Sequence, residues 1–298
     1  MGITIFVSGL TGCTTATSDG GQTGGASAAA EVSAGAGAGA AGTMTAERTT
    51  GTGTVSGDRH DTMTQVSTLQ TLMLGDYYGT VSMADVKAAG DIGLGTFDAF
   101  DGEMVMVDGV VWQAKGDGSV VEAADDLTTP FCCVTPFETD ETIELGDVTS
   151  MDALKETLSA RVQDVNPNAM WAVRIDGTFA SVTARSEPAQ SEPYRPLQDV
   201  MENEQVLFDP ATDVSGTLVG IYFPDYLGNV NTAGWHFHFV SDDRSYGGHV
   251  MAVDCSGLVA QLDKTDRLGM VLPEDCHFDS LELMSDLESA IANVEGGE

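Results

Sequence analysis

The chain has 298 residues, room for one or two domains with a buried core. Its 46 acidic and 12 basic side chains leave a net charge of −34, which repels phosphate backbones and anionic membranes and excludes nucleic-acid binding. A hydrophobic content of 42% excludes wholesale disorder, and no apolar run approaches the ~18 residues of a transmembrane helix. Only four of the basic residues are lysines, Lys87, Lys115, Lys155 and Lys264. An acidic, lysine-poor surface repels itself in dilute buffer but not at about 1 M salt, where the Debye length is roughly 3 Å. This points to a salty milieu, against the plainer reading of an ordinary acidic surface.

In chain order, residues 3–10 form a short apolar stretch that runs into Leu10-Thr11-Gly12-Cys13. A brief hydrophobic segment ending in small residues reads as an export signal, and Leu-Thr-Gly-Cys resembles a lipobox, with Cys13 as the lipidated residue. No Lys or Arg precedes the stretch, and a chance match is the competing reading. Residues 14–60 are mostly Gly, Ala, Ser and Thr, with Val32, Met44 and Val55 as the only larger apolar side chains. They cannot bury enough surface to offset their ordering entropy, so they are expected to act as a flexible tether. Together, residues 1–13 and 14–60 suggest a domain held outside the cell or at its surface, with a membrane contact only through the lipid; a cytoplasmic protein is the alternative.

The folded part is expected from about residue 61. Ser82 begins a capping-box-like helix start that Gly90 ends. Residues 103–108 and 110–115 flank Asp108-Gly109, a strong two-residue hairpin turn. Ser150 caps a helix to about Val162, with Leu154 and Leu158 on one face. Residues 171–176 and 178–185 read as a hairpin around Gly177, and residues 197–204 as a short helix. Short β-rich runs follow at 216–223, 234–240, 247–255 and 258–262, and residues 278–294 read as a closing amphipathic helix. The expected fold is mixed α/β: two β-rich lobes with mixed sheets and a few peripheral helices. The N-terminal lobe spans 61–205 and the C-terminal metal-binding lobe, with its tail, spans 206–298. Apart from Cys13, the cysteines Cys132, Cys133, Cys255 and Cys276 contain no Cys-x-x-Cys pair, which excludes a zinc ribbon.

Three of the five histidines, His236, His238 and His249, fall within fourteen residues. Strand side chains alternate faces, so His236 and His238 point together while Trp235, Phe237 and Phe239 point away. The polar 241–245 segment with Gly247-Gly248 suits a hairpin loop. Antiparallel pairing centred on that loop places His249 beside His238, give or take a bulge at the glycines. Three imidazoles converging from one hairpin can hold a divalent metal with open positions; the plainer alternative is three separate, hydrogen-bonded histidines.

The run Gly-Trp-His-Phe-His-Phe-Val-Ser-Asp-Asp-Arg-Ser-Tyr-Gly-Gly-His at 234–249 resembles the metal-binding motif of the alpha-acetolactate decarboxylase family. Segments 93–104, 184–197 and 216–226 resemble that family in the expected order, and the resemblance extends from about Gln65 to the C-terminus. It implies a zinc enzyme that converts 2-acetolactate to acetoin and carbon dioxide, on a two-domain α/β fold that is commonly a homodimer. Carried over by motif, His236, His238 and His249 are the metal ligands, Thr96 and Glu103 come from the 93–104 segment, and Arg185 from the 184–197 segment. A glutamate from the C-terminal tail joins the metal, matched here to Glu295, with Glu298 and Glu274 as alternatives. Where the family often has Tyr-Asp-Gly, this chain has Tyr77-Tyr78-Gly79.

These residue types suit the reaction. A divalent cation chelated by the hydroxyl and ketone oxygens stabilises the enediolate left by carbon dioxide. The resemblance implies that Arg185 would pair with the departing carboxylate and Glu103 would act as acid/base towards the enediolate, while Thr96 would hydrogen-bond substrate or merely pack in its strand. Imidazoles also accept other divalent transition metals. Two further readings compete: another three-histidine metalloenzyme, such as a cupin-like oxygenase or a hydrolase, and a non-enzymatic surface metal-binding lipoprotein.

Overall fold

The computed structural model describes residues 61–283. The lipobox-like leader, the tether, Glu295 and Glu298 lie outside the described residues.

Two sheets carry the fold. The seven-stranded sheet runs, in spatial order, Arg267–Val271, Thr62–Val66, Cys132–Thr135, Ile92–Thr96, Glu103–Val107, Val110–Ala114 and Val120–Glu122. The eight-stranded sheet runs Asp147–Val148, Gly247–Ser256, Gly234–Ser241, Ala211–Phe223, Met170–Ser186, Val259–Thr265 and Glu141–Glu144, with Val206–Leu207 paired beside Met170–Ser186. Arg267–Val271 runs parallel to Thr62–Val66, so the chain returns to its first sheet at the end.

Local chemistry explains most elements. Ser82 accepts the Asp85 N–H and starts the helix Met83–Ala89. Ser150 accepts the Ala153 N–H and starts Met151–Val165, which buries Leu154, Leu158 and Val162. Asp108 and Gly109 take φ of 52° and 75°, the turn that closes Glu103–Val107 onto Val110–Ala114. The expected helix at 197–204 forms as Leu197–Glu204.

Alternation along the strands sorts the side chains into layers. Trp171, Val173, Phe237 and Phe239 pack beneath Met151–Val165, while Ala172, Val219, Ile221 and Val240 face Leu94, Val105 and Val107 of the seven-stranded sheet. Met104, Met106 and Val111 pack on the far face with Met83 and Val86. The order is helix, sheet, sheet, helix, with an apolar core on each side of every sheet.

Three expectations change. Residues 171–185 are not a hairpin: Met170–Ser186 is one strand, and Gly177, with φ of 153°, stays in register opposite Gly216. Glycine here lets a long strand bend instead of reversing. The lobes do not join near residue 205, because Met170–Ser186 and Ala211–Phe223 pair across that position in one sheet. The change of sheet falls between Thr135 and Glu141. Finally, Phe278–Ser280 is a single 3₁₀ turn, not the start of an α-helix, and residues beyond 283 lie outside the described part.

The core also contains a buried acid. Asp263 is 1% exposed and accepts the Glu138 N–H at 3.3 Å. Burial, reinforced by the nearby Asp140 charge, pushes its carboxyl up to about 7. A carboxyl that holds its proton more tightly when folded favours the folded state below its unfolded pKa. That stability is lost as pH rises from about 4 to 7. Asp263→Asn is therefore expected to stabilise the protein at pH 8, by on the order of 2 kcal/mol, and to change little at pH 4. Urea unfolding at both pH values checks this, and equal effects at the two would refute it.

Candidate metal centre

The hairpin of Gly234–Ser241 and Gly247–Ser256 builds the centre. Its loop is held by Asp243, whose carboxylate accepts from the Ser241 and Ser245 hydroxyls and the Ser245 N–H. The Arg244 guanidinium stacks over Trp112 at 4.4 Å. The register pairs His238 with His249, as the hairpin symmetry requires. The irregularity falls elsewhere, between Thr183 and Ala184 where Met170–Ser186 meets Gly247–Ser256. Beyond it, Arg185 pairs with His249, so Arg185, His249 and His238 stand in one row across three strands. Gly248, next to His249, must be glycine: at φ of 136°, a Cβ there would collide with the Arg185 carbonyl oxygen.

The three histidines meet between the sheets. One ring nitrogen from each lies within 4.8 Å of the others. His236 Nε2 is 2.8 Å from His249 Nδ1 and 3.1 Å from His238 Nε2. His238 Nδ1 lies 2.8 Å from the Met104 carbonyl, to which it donates. That bond fixes the tautomer and leaves the Nε2 lone pair turned to the other two rings, the usual outer support of a metal-binding imidazole. Burial, with the nearby Arg185 charge, pushes His236 down to about 3, and burial holds His238 and His249 well below the ordinary histidine value. All three rings are therefore neutral at pH 7, the protonation state that ligates. Three neutral nitrogen donors at this spacing fit a divalent transition metal.

The seven-stranded sheet supplies the other side. Thr96 pairs with Glu103, on the face that carries Leu94 and Val105 towards the eight-stranded sheet. Glu103 is 5% exposed, with Oε2 3.5 Å from His238 Nε2 and Oε1 3.9 Å from the Arg185 guanidinium. The Thr96 hydroxyl donates to the Gly102 carbonyl at 2.7 Å, tying the strand end to the turn before Glu103. His236, His238, His249, Glu103, Arg185 and Thr96 all line one small cavity of about 30 Å³, together with Phe100, Leu197 and Met201. Of the sequence-derived site residues, only the tail glutamate goes unplaced, since Glu295 lies outside the described residues. Glu274 is exposed and does not line the cavity.

Two contributors were missed from the sequence. Glu187, fully buried, accepts from the Arg185 guanidinium at 2.6 Å and anchors it. The Met104 carbonyl orients His238. Neither could be read beforehand: the Ser-Glu-Pro context of Glu187 is that of a surface loop, and a backbone carbonyl leaves no mark in side-chain identity.

Residues 63–285 match the family model described as "Alpha-acetolactate decarboxylase". The chain belongs to the alpha-acetolactate decarboxylase family. An alpha-acetolactate decarboxylase of Methanosarcina mazei is 39% identical over 241 residues, covering 81% of this chain and 82% of that protein. One from Klebsiella aerogenes is 34% identical and covers 78% of this chain and 88% of its own. The crystal structure of the alpha-acetolactate decarboxylase from Bacillus subtilis superposes with a TM-score of 0.75 at 27% identity, covering 80% of this chain and 100% of that one. The mixed-sheet architecture is thus that of the family. Membership also decides against a cupin-like enzyme and against a non-enzymatic binding protein.

Proposed function

We propose that this chain decarboxylates 2-acetolactate to acetoin with a divalent metal, zinc being the first candidate, held by His236, His238 and His249. One observation carries the reading: three neutral imidazole nitrogens converge within 4.8 Å, with a buried carboxylate and a buried guanidinium beside them. When bound, the cation supplies Lewis-acid stabilisation of the negative charge that develops on the substrate's hydroxyl and ketone oxygens.

The protein's own groups do the rest. The planar guanidinium of Arg185, held by Glu187, pairs with the substrate carboxylate and orients the carbon–carbon bond that breaks. As carbon dioxide leaves, the bonding pair of the broken carbon–carbon bond stays on the substrate carbon, and Glu103, which takes up a proton from solvent, passes it to that carbon from one side. A fixed donor on one face makes one acetoin enantiomer. Thr96, through its bond to Gly102, keeps the Glu103 strand end in place. The tail glutamate Glu295 remains a proposed further ligand. The same proposal extends to the setting: a salt-adapted, exported homodimer, lipid-anchored at Cys13.

Dialysis against a strong chelator, followed by assay with racemic acetolactate, tests the reading. Acetoin formation is expected to fall by more than about 100-fold and to return on adding a stoichiometric divalent metal. Full activity in protein shown to be metal-free by elemental analysis would refute it. Arg185→Lys is expected to lower kcat/KM by about 100-fold, because an ammonium cannot reproduce the bidentate fork. An unchanged rate would remove Arg185 from carboxylate binding.

A further inference from the structure

A second cavity, of about 420 Å³, is lined by Tyr78, Glu192, Pro193, Tyr194 and His277. None of these lines the metal-centre cavity. Three of the five are rings, set at steep angles to one another. The Tyr78 and Tyr194 centroids are 5.0 Å apart with planes at 58°, and those of Tyr78 and His277 are 5.4 Å apart at 62°. Rings so arranged form the walls of a corner rather than a stack.

The surroundings are anionic. Glu192 lines the cavity with Tyr78, and burial together with the Glu192 carboxylate raises the Tyr78 phenol above its ordinary value. Behind the rings, Asp76 is buried at 2% exposure, with Oδ1 3.1 Å from His277 Nδ1 and Oδ2 without a hydrogen-bond partner among the described residues. Asp275 Oδ2 is in the same state, while its other oxygen accepts the His277 and Phe278 N–H groups. No lysine or arginine is among the described residues that line the cavity. Arg195, next in sequence to Tyr194, is turned to Glu204 and Gln190 at 2.7 and 3.2 Å.

Aromatic faces and the Glu192 carboxylate, with no lysine or arginine among the lining residues and His277 turned to Asp76, favour a positively charged guest. Rings reward a cation that sheds its water easily, which a methylated ammonium does and a hydrated metal ion or primary ammonium does not. We propose that the cavity between Tyr78, Tyr194 and His277 is a binding site for an organic cation of the quaternary-ammonium class. Its size falls within the ~300–1,000 Å³ range of small-molecule sites and leaves room for a short substituent beyond the ammonium head.

The test is calorimetric titration of the full chain with tetramethylammonium chloride at fixed ionic strength, with neopentyl alcohol as a neutral probe of the same shape. Saturable binding with a dissociation constant of order 1–10 mM is expected for the cation, and none for the alcohol. Tyr78→Leu and Tyr194→Leu are each expected to weaken binding about 10-fold, while Tyr78→Phe, which keeps the ring face, stays within about 3-fold of wild type. Circular dichroism confirms that each variant is folded. If a leucine variant does not fold, Tyr78→Phe and the neutral probe still decide. No saturation by about 100 mM, equal binding of the alcohol, loss of binding in Tyr78→Phe, or unchanged binding in folded leucine variants would each overturn the proposal.

Discussion

His238→Ala is expected to abolish metal binding and acetoin formation together, with turnover down by at least about 1,000-fold. His238 sits in the middle of the centre. It faces His236 at 3.1 Å and Glu103 at 3.5 Å, pairs across the hairpin with His249, and is tied to Met104 at 2.8 Å. Truncation removes one of three donors and frees the Met104 carbonyl from the bond that held the ring. Two imidazoles alone hold a divalent ion far less firmly than three. Elemental analysis of the purified variant gives the metal content, and circular dichroism the fold. A folded His238→Ala protein with full metal and activity would dismantle the three-histidine centre.

Glu103→Gln separates metal binding from proton delivery. The substitution keeps shape and volume in a buried position, so the protein is expected to fold and to retain its metal. Turnover is expected to fall by about 100- to 10,000-fold, the usual worth of a positioned acid/base, with KM little changed. The residual product carries a further signature. With Glu103 present, the proton arrives from one side and one acetoin enantiomer dominates; with glutamine there, water supplies the proton and the product moves towards a racemate. Chiral chromatography reads this directly. Wild-type rate with unchanged enantiomeric excess would assign the proton to another group. Because Glu103 also lies 3.9 Å from the Arg185 guanidinium, its charge helps to hold that side chain. A rise in KM alone, without loss of kcat, would therefore point to a role in carboxylate binding instead.

The two expectations differ in how legible their residues were. The histidine hairpin is a local object. Alternation puts His236 and His238 on one face, and the symmetry of a short turn brings His249 opposite His238, so the sequence by itself determined that trio. The same holds for the Ser82 and Ser150 caps and the Asp108-Gly109 turn, each decided by side chains within a few residues of the backbone they satisfy. At Gly177 local reasoning failed. A glycine between two apolar-alternating runs reads alike whether the chain reverses or bends, and only pairing with Gly216 on a neighbouring strand tells them apart.

Glu103 and Arg185 belong to the other kind. The chemistry of their neighbours in sequence does not mark either as catalytic, and their assignment came from the resemblance of segments 93–104 and 184–197 to a family. What brings Glu103 to His238 is one sheet stacked on another, and what brings Arg185 to His249 is strand pairing in a register shifted at Thr183 and Ala184. Both contacts join residues far apart in the chain; the first is set by how apolar faces close on each other, with Leu94 and Val105 against Ile221 and Val240, and the second by long-range backbone pairing within one sheet. Short-range alternation and capping were written in the sequence because backbone geometry links neighbours directly. The meeting of carboxylate, guanidinium and imidazoles was decided only by tertiary packing, since burial of the shared core, and no local preference, selects which face meets which.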